Sequence, residues 1–548
     1  MTDADLAFVD GPVLSPDASG SNTDAVAVKD GVIVALGDEA RSMISHQTEV
    51  VSLDAKMLLP GFIDAHVHPV WGGLKLLACD LSAADERRAT LEAVAAYVAR
   101  DPAEPWVLGG GWSMSAFPGG APTAEDLDQV TAGRPAFLTS RDGHSAWVNT
   151  EALRLAGVNE HTPDPADGRI ERGPSGKPAG TLHEGAMSVV LKVVPPISDE
   201  QMLRAVLKGQ EYLHSFGVTA WQDALVGDYP ESRDPGPYYR AADEAGLLTG
   251  RVRGALWLER GKTIADQIDS LVARREQYAS GRFSPTAVKI MQDGVPENFT
   301  AAMSEPYVDP CGHSHGDGLS FFDREDLIDA VKVLDAAGFQ IHFHAIGDRS
   351  IHDCLDAVAA ARAANAYADN RHHMAHLQFL NPNDISRFAG VGVAANLQML
   401  WACDDEQMAE LVTPFVGDRR AWQYPFRSLQ ASGARLAAGS DWSVSTPDPW
   451  AAIQVAVTRV DPEQTTGQIE SFLPEQRLDL AAAISAYTSG SAWVNHLDHL
   501  VGTIEVGKEA DLVVLDRNPF TIKPDELAQT QVLQTFVAGE RVYAAQSP

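Results

Sequence analysis

Short apolar runs, each closed by glycine, proline or a polar residue, alternate with longer amphipathic stretches along this chain. From about residue 199 the alternation becomes regular. Gln201 to His214 has helical spacing, Gly217 stops the helix, and Val218 to Gln222 follows as a strand. Further strands are predicted at Val252 to Leu258, Ala287 to Met291, Gln340 to His344, His373 to Gln378, Gly392 to Leu397 and Arg435 to Gly439. Helices at Glu325 to Ala337 and Ile351 to Ala364 lie between some of them. With the strand before His66 the set numbers eight, which predicts an α/β fold, a (β/α)8 barrel of the TIM type with its active site at the carboxyl ends of the strands. An open doubly wound sheet is the competing topology, and no GxGxxG follows the first strand to support it.

The flanking regions follow a different pattern. Residues 1–57 carry β-prone runs at Leu6 to Val9, Ala25 to Val28, Gly31 to Leu36 and Glu49 to Leu53, broken by glycine and aspartate. Residues 500–548 offer two short strands around a Gly-Lys turn in GTIEVGKEADLVVLD, then Val532 to Val537 and Arg541 to Tyr543. Neither end has enough apolar surface to stand alone, so a composite β-sandwich domain built from both chain ends is expected. Residues 58–70 then supply the first barrel strand, and 201–499 the remainder of the barrel. Between them, 71–200 is irregular and rich in Gly, Pro and Asp, a loop-rich insertion expected to cap the active site.

Composition narrows the possible partners. The 548 residues suit three or four structural units, and 45% hydrophobic with 21% charged residues is ordinary for a globular protein. A formal charge of -33, with the acids dispersed, offers no positive field for nucleic acid or an anionic membrane. Cys79, Cys311, Cys354 and Cys403 form no CxxC pair, which argues against a disulfide framework and a cysteine zinc site. The first residues lack a basic and apolar leader, and no apolar run reaches membrane-spanning length. The expectation is a cytoplasmic protein whose partner is a small-molecule substrate, with a homodimer as the candidate assembly.

Candidate chemistry starts at LLPGFIDAHVHP. His66 and His68 are two apart, so on a strand they share a face and make half of a site for a zinc-class metal. Later strand ends bring Lys289 ahead of Gln292-Asp293-Gly294, then His344, His376 and Gly439-Ser440-Asp441. Each alone has an ordinary reading: a packed histidine at 344, a helix cap at Asp441, a charge partner at Lys289. Together those readings require five strands to place such groups on one barrel mouth by accident. The pairs His342/His344 and His372/His373 carry a register question, since a slip of one residue reverses which side chain points inward. Within the insertion, His144 is either an oxyanion contact or a structural histidine. Trp147 and Trp112 are either substrate contacts or core aromatics. His183-Glu184, and His313 and His315 in a glycine-rich loop after the fourth strand, are further polar candidates for substrate contact or plain surface groups.

The segments PGFIDAHVHP, DGHSAWVN, VKIMQDG, HFHAIGD, AHLQF, AAGSDWSV and GTIEVGKEADLVVLD resemble, in order and over nearly the whole chain, the amidohydrolase superfamily, in particular its YtcJ-like branch, amidohydrolase family 3. The resemblance implies a hydrolase dependent on one or two divalent ions, zinc foremost, that cleaves an amide or other C–N bond of a small molecule. His66, His68 and Asp441 would bind one ion, while His344 and His376 bind a second or complete a single site. A protonated Lys289 beside a dication would be repelled, so it must be neutral, displaced or modified. In related members a lysine on this strand is carboxylated by CO2 and bridges two metals; an unmodified Lys289 beside a single ion is the alternative. The metal would acidify its water and polarise the carbonyl, and Asp441 would move the proton to the leaving nitrogen. An N-acyl or N-formyl compound with an apolar group is the substrate expected. An esterase, lactonase or deaminase using the same site, and a catalytically silent regulatory protein, are the rival readings.

Overall fold

Eight parallel strands of the chain lie side by side in sequence order: β1 (Phe62–Val67), β2 (Val218–Val226), β3 (Arg251–Trp257), β4 (Phe283–Met291), β5 (Gln340–Ala345), β6 (His373–His376), β7 (Ala394–Leu397) and β8 (Leu436–Ala438). In this computed structural model the described residues are 3–14, 23–54, 56–141, 143–165, 167–229, 233–464 and 470–546. The last strand returns to the first. Asp441 N–H donates to the His66 carbonyl at 2.8 Å, and Gly439 passes so close to β1 that an added Cβ would sit 2.6 Å from His66 N. Every residue of β1 and β2 is buried, as expected for parallel strands covered on both faces. The result is the expected TIM-type barrel. Strands β6 and β8 are shorter than predicted. His376 and Leu377 turn to φ values of 80° and 53°, and Gly392, at φ 72°, caps a helix rather than opening β7.

The chain divides into two compact units, Met1–Pro69 with Gln210–Pro548, and Val70–Gly209. In the first unit, strands from both chain ends share one eight-stranded sheet in the order Glu540–Ala544, Val532–Val537, Leu512–Leu515, Met57–Pro60, Leu6–Val13, Thr23–Lys29 and Val32–Leu36, with Glu49–Ser52 paired to Leu6–Val13. Leu512–Leu515 runs antiparallel to Met57–Pro60, which joins the ends. Phe8, Val26, Leu58, Val514 and Phe536 meet in its core, with the two phenylalanine rings edge to face at 5.0 Å. Residues 58–60, expected in the first barrel strand, belong to this sheet, and the barrel strand starts at Phe62. Of the two strands expected in 502–516 only Leu512–Leu515 forms, because Gly502 and Gly507 adopt φ values of 93° and 96° in turns.

The second unit has more regular structure than its sequence suggests. Its six strands order as Gly168–Arg172, Pro178–Glu184, Ser145–Val148, Ala136–Ser140, Val107–Trp112 and Cys79–Asp80, beside the helix Arg87–Arg100. The glycines of Val107–Trp112 are strand residues. A Cβ on Gly109 would sit 2.1 Å from the Cys79 carbonyl oxygen, so the neighbouring strand packs against bare backbone. Among the described residues no helix is long and apolar enough to cross a membrane.

Outside the barrel, Asp335 on the helix Arg324–Ala336 gathers the elements that flank β6. Its carboxylate accepts from His372 Nε2 at 2.9 Å, Asn370 Nδ2 at 2.7 Å and Asn365 Nδ2 at 3.0 Å, while the Ile341 N–H donates to His372 Nδ1 at 3.0 Å. Burial alone would raise its pKa, but these donors outweigh burial and hold it below the usual carboxylate value. A depressed folded-state pKa contributes stability above the unfolded pKa of about 4, and that contribution is lost as pH falls further. Asp335→Ala is expected to destabilise the protein by on the order of 3 kcal/mol at pH 7. The gap from wild type should narrow in urea melts run at progressively lower pH below about 4.

Candidate metal centre

The alternation of DAHVH brings Asp64 and His66 to the inner face of β1, with His68 just beyond its end. Asp64 is fully buried and ties β1 to the turn after β8. One carboxylate oxygen accepts the backbone N–H groups of His66 and Ser440, each at 3.1 Å, and the other accepts the Ser440 hydroxyl at 2.5 Å. Burial pushes its pKa up to about 7 against those three donors. The tie aims the next residue, Asp441, back at β1. His68 Nε2 lies 3.1 Å and His66 Nε2 3.3 Å from the same oxygen, Asp441 Oδ1.

From β6, His376 brings its ring to 4.8 Å from that of His66 and 4.4 Å from that of His344. His66, His376 and Asp441 each offer a ligand atom within 4.8 Å of the other two. Trp401, after β7, stacks flat on His376 at 5.5 Å. His376 and Asp441 both have left-handed backbone, φ 80° and 55°. Non-glycine residues held there cost on the order of 1–3 kcal/mol each, and they concentrate at functional sites. His344 Nδ1 lies 3.3 Å from Asp293 Oδ1, and the Asp293 carboxylate accepts the backbone N–H groups of Ala302, Ile346 and Gly347. The sequence-predicted set of His66, His68, Lys289, His344, His376 and Asp441 is therefore carried, buried, by β1, β4, β5, β6 and the turn after β8.

The electrostatics suit a cation. Burial, then the nearby Lys289, drive His66 down to about 3, and burial holds His376 well below its ordinary value, so both rings are neutral. Asp441 stays ionised: burial opposes its charge, and the two imidazole nitrogens outweigh that. Among the described residues, neither ring nitrogen of buried His376 has a hydrogen-bond partner, and neither does Asp441 Oδ1. Neutral imidazole nitrogens and a carboxylate oxygen are the donor set of a zinc-class ion, so these residues fit one. Burial lowers Lys289 to about 7, with Asp441 and then Asp223 opposing.

The remaining predicted residues make other contacts. Of the two readings open for Trp112 and Trp147, the structure shows core aromatics of the second unit. Both are fully buried, 6.3 Å apart ring to ring, and their indole N–H groups are taken by the carbonyls of Leu138 and Thr123. His144 is exposed in that unit with Nδ1 3.0 Å from Glu184 Oε1; Asp142 of the same motif lies outside the described residues. His183 there bonds Ser145 and Glu171. His313 is exposed and pairs with Asp309 at 3.0 Å, while His315 stacks on Phe299 at 4.5 Å.

Sequence reasoning passed over Asp64, Gln222, Asn396 and Gln398 and left His342 and His373 as a question of register; all six are buried. The signal was present as polar residues inside otherwise apolar strands. Gln398 Oε1 accepts the His376 backbone N–H at 2.6 Å, and Gln398 Nε2 donates to Asn396 Oδ1 at 3.3 Å. Asn396 Nδ2 donates to the Ala65 carbonyl at 2.9 Å, so β7 braces the strands on either side of the site.

A barrel with histidines and an aspartate converging at the carboxyl ends of its strands has the architecture of a metal-dependent hydrolase. The chain belongs to the amidohydrolase family, whose sequence profile matches residues 49–543. It is similar to the putative amidohydrolase YtcJ of Bacillus subtilis, with 30% identity over 96% of this chain and 96% of that one. It is also similar to the N-substituted formamide deformylase of Arthrobacter pascens, with 28% identity over 98% of this chain and 97% of that one. In fold it matches an uncharacterised metal-dependent hydrolase from Pyrococcus horikoshii, with a TM-score of 0.73 and 22% identity over 95% of this chain and 99% of that one.

Trp147→Ala tests the core role of this side chain. It is expected to lower stability by about 3–5 kcal/mol, as for other buried aromatics, seen as an earlier unfolding transition. A changed Michaelis constant at unchanged stability would return Trp147 to the substrate.

Proposed function

We propose that this chain hydrolyses the C–N bond of a small N-formyl or N-acyl amine, with zinc as the ion held at the barrel mouth. The observation that carries the reading is the convergence of the His66 and His68 imidazoles on Asp441 Oδ1, beside a His376 whose ring nitrogens have no hydrogen-bond partner among the described residues. His66, His68 and Asp441 would hold one ion, and His344 and His376 would complete that site or hold a second. A divalent ion there supplies Lewis acidity toward the substrate carbonyl and acidifies water. The chain's residues do the rest. Asp441 accepts the proton released as water adds to the carbonyl carbon, and returns it to the nitrogen as the C–N bond breaks, so the amine leaves neutral. The partly neutral amine of Lys289 is in the form that reacts with CO2, and we take its carbamate as the bridge if two ions bind. His144, His313 and His315 are kept as candidate substrate contacts on their sequence positions alone.

The formamide substrate of the Arthrobacter relative supports the substrate class. So does Trp401, an aromatic wall beside His376 for an apolar substituent. We further propose a cytoplasmic setting for a protein whose four cysteines are free and whose substrate is a small molecule.

Asp441→Asn is expected to abolish turnover while much of the metal stays bound, checked by metal analysis beside an amine-release assay. Wild-type turnover in that variant overturns the proton-transfer role. With metal-replete protein, paired N-substituted formamides, esters and aminated heterocycles should show formate and amine release ahead of the other two reactions. Faster ester cleavage or ring deamination would move the chain to those classes. A mass gain of one CO2 on Lys289, lost in acid, checks the carbamate.

A further inference from the structure

We infer that His342 is a positioning residue that holds the ligand imidazole of His66 in the tautomer a metal requires. The inference rests on the reading of His66 as a metal ligand and extends it to a residue that reading does not use. β1 and β5 are not neighbours in the barrel, yet His342 Nε2 reaches across the interior to within 2.7 Å of His66 Nδ1. The other nitrogen of His66, Nε2, faces Asp441 Oδ1 at 3.3 Å. A neutral imidazole has one N–H. If Nε2 is to offer its lone pair to a metal, the proton must sit on Nδ1, and the 2.7 Å contact gives that proton an acceptor in His342 Nε2.

The surrounding amides keep the third ring of the row out of this exchange. Gln340 Nε2 donates to the carbonyls of Arg371 and Val494, which fixes its orientation and leaves Gln340 Oε1 to accept from Gln222 Nε2 at 2.8 Å. Gln222 Oε1 must then accept from His373 Nε2, also at 2.8 Å. Asn396 Nδ2, held by the Ala65 carbonyl, points its second hydrogen at His373 Nδ1 at 3.2 Å. His373 therefore uses both nitrogens and gives His342 only its ring, 4.1 Å away and tilted by 48°. With Nε2 accepting, His342 carries its own proton on Nδ1, which is buried and has no hydrogen-bond partner among the described residues, so the bond to His66 is the directional contact that sets the ring.

A metal-bound histidine usually donates its second N–H to a carboxylate, a carbonyl or water, and removing that partner costs 10–100-fold in metal affinity. An imidazole in this role orients the ligand without adding another negative charge to an interior that already holds Asp64 and Asp441.

The test compares metal affinity, by competition with a chromophoric chelator, in wild type, His342→Leu, His342→Gln and His66→Ala, together with the melting of each metal-free protein. His342→Leu is expected to bind about 10–100-fold more weakly. His342→Gln should recover most of the loss, because its amide oxygen accepts from His66 Nδ1. Wild-type affinity in His342→Leu, or equal losses in the Leu and Gln variants, overturns the positioning role. Wild-type affinity in His66→Ala instead overturns the ligand reading beneath it. Nitrogen NMR of ring-labelled histidine in the zinc-loaded wild type decides the matter even if the variants fail to fold. A proton on His66 Nδ1 is expected, and a bare Nδ1 refutes the inference.

Discussion

A carboxylate buried among neutral imidazoles needs a positive charge, and this requirement organises the barrel mouth. Taking an ion out of water costs several kcal/mol even after relaxation. Asp441 is buried and ionised, yet burial holds His66 and His376 neutral. Lys289 does not supply a full countercharge at neutral pH, since burial brings it down to about 7. The backbone N–H groups of His66 and Ser440 point at Asp64, which leaves Asp441 Oδ1 to the imidazole nitrogens of His66 and His68. A divalent cation resolves this imbalance, and the donor atoms are of the kind it prefers.

Holding such a site without its charge requires a stiff support, which the lower barrel provides. Gln222, Gln340, His373 and Asn396 fill the interior with hydrogen-bonded polar groups where many barrels carry branched apolar side chains. Each amide there has an orientation set by a backbone carbonyl or by a neighbour whose own orientation is set. A network in which every donor finds an acceptor specifies one arrangement, whereas a partly satisfied one does not. Gln398 carries this order up to the His376 backbone, and Asp64 carries it to the Asp441 turn.

Much of this was legible in the sequence because it follows periodicity. Fully buried parallel strands read as apolar runs, and β1 to β8 appear as such within a few residues. The pairing of both chain ends was legible for a related reason, since neither end could bury its apolar face alone. Two features were hidden. In the second unit, glycines that look like loop residues lie in a strand because its neighbour approaches their bare backbone, a tertiary fact with no local signature. Trp112 and Trp147 were ambiguous by nature, because a tryptophan fills a core or a pocket equally well and only its surroundings decide.

The register question at β5 and β6 shows where strand periodicity stops applying. On β5 the rule of two holds: Gln340, His342 and His344 share the inner face, so both candidate histidines point inward and differ only in depth. His342 meets His66 from below, and His344 meets His376 nearer the mouth. On β6 the rule would not bring His373 and His376 to one face, since they are three apart. They both reach the interior because the strand ends at His376, whose φ of 80° turns its ring inward. The same escape from strand geometry occurs at Asp441 after β8. These two residues leave their strands at the point where ligand atoms must converge from different directions, and straight parallel strands cannot supply that convergence. The strain is therefore part of the site's geometry, and the bonds from Gln398 to His376 and from Asp64 to Ser440 hold it in place.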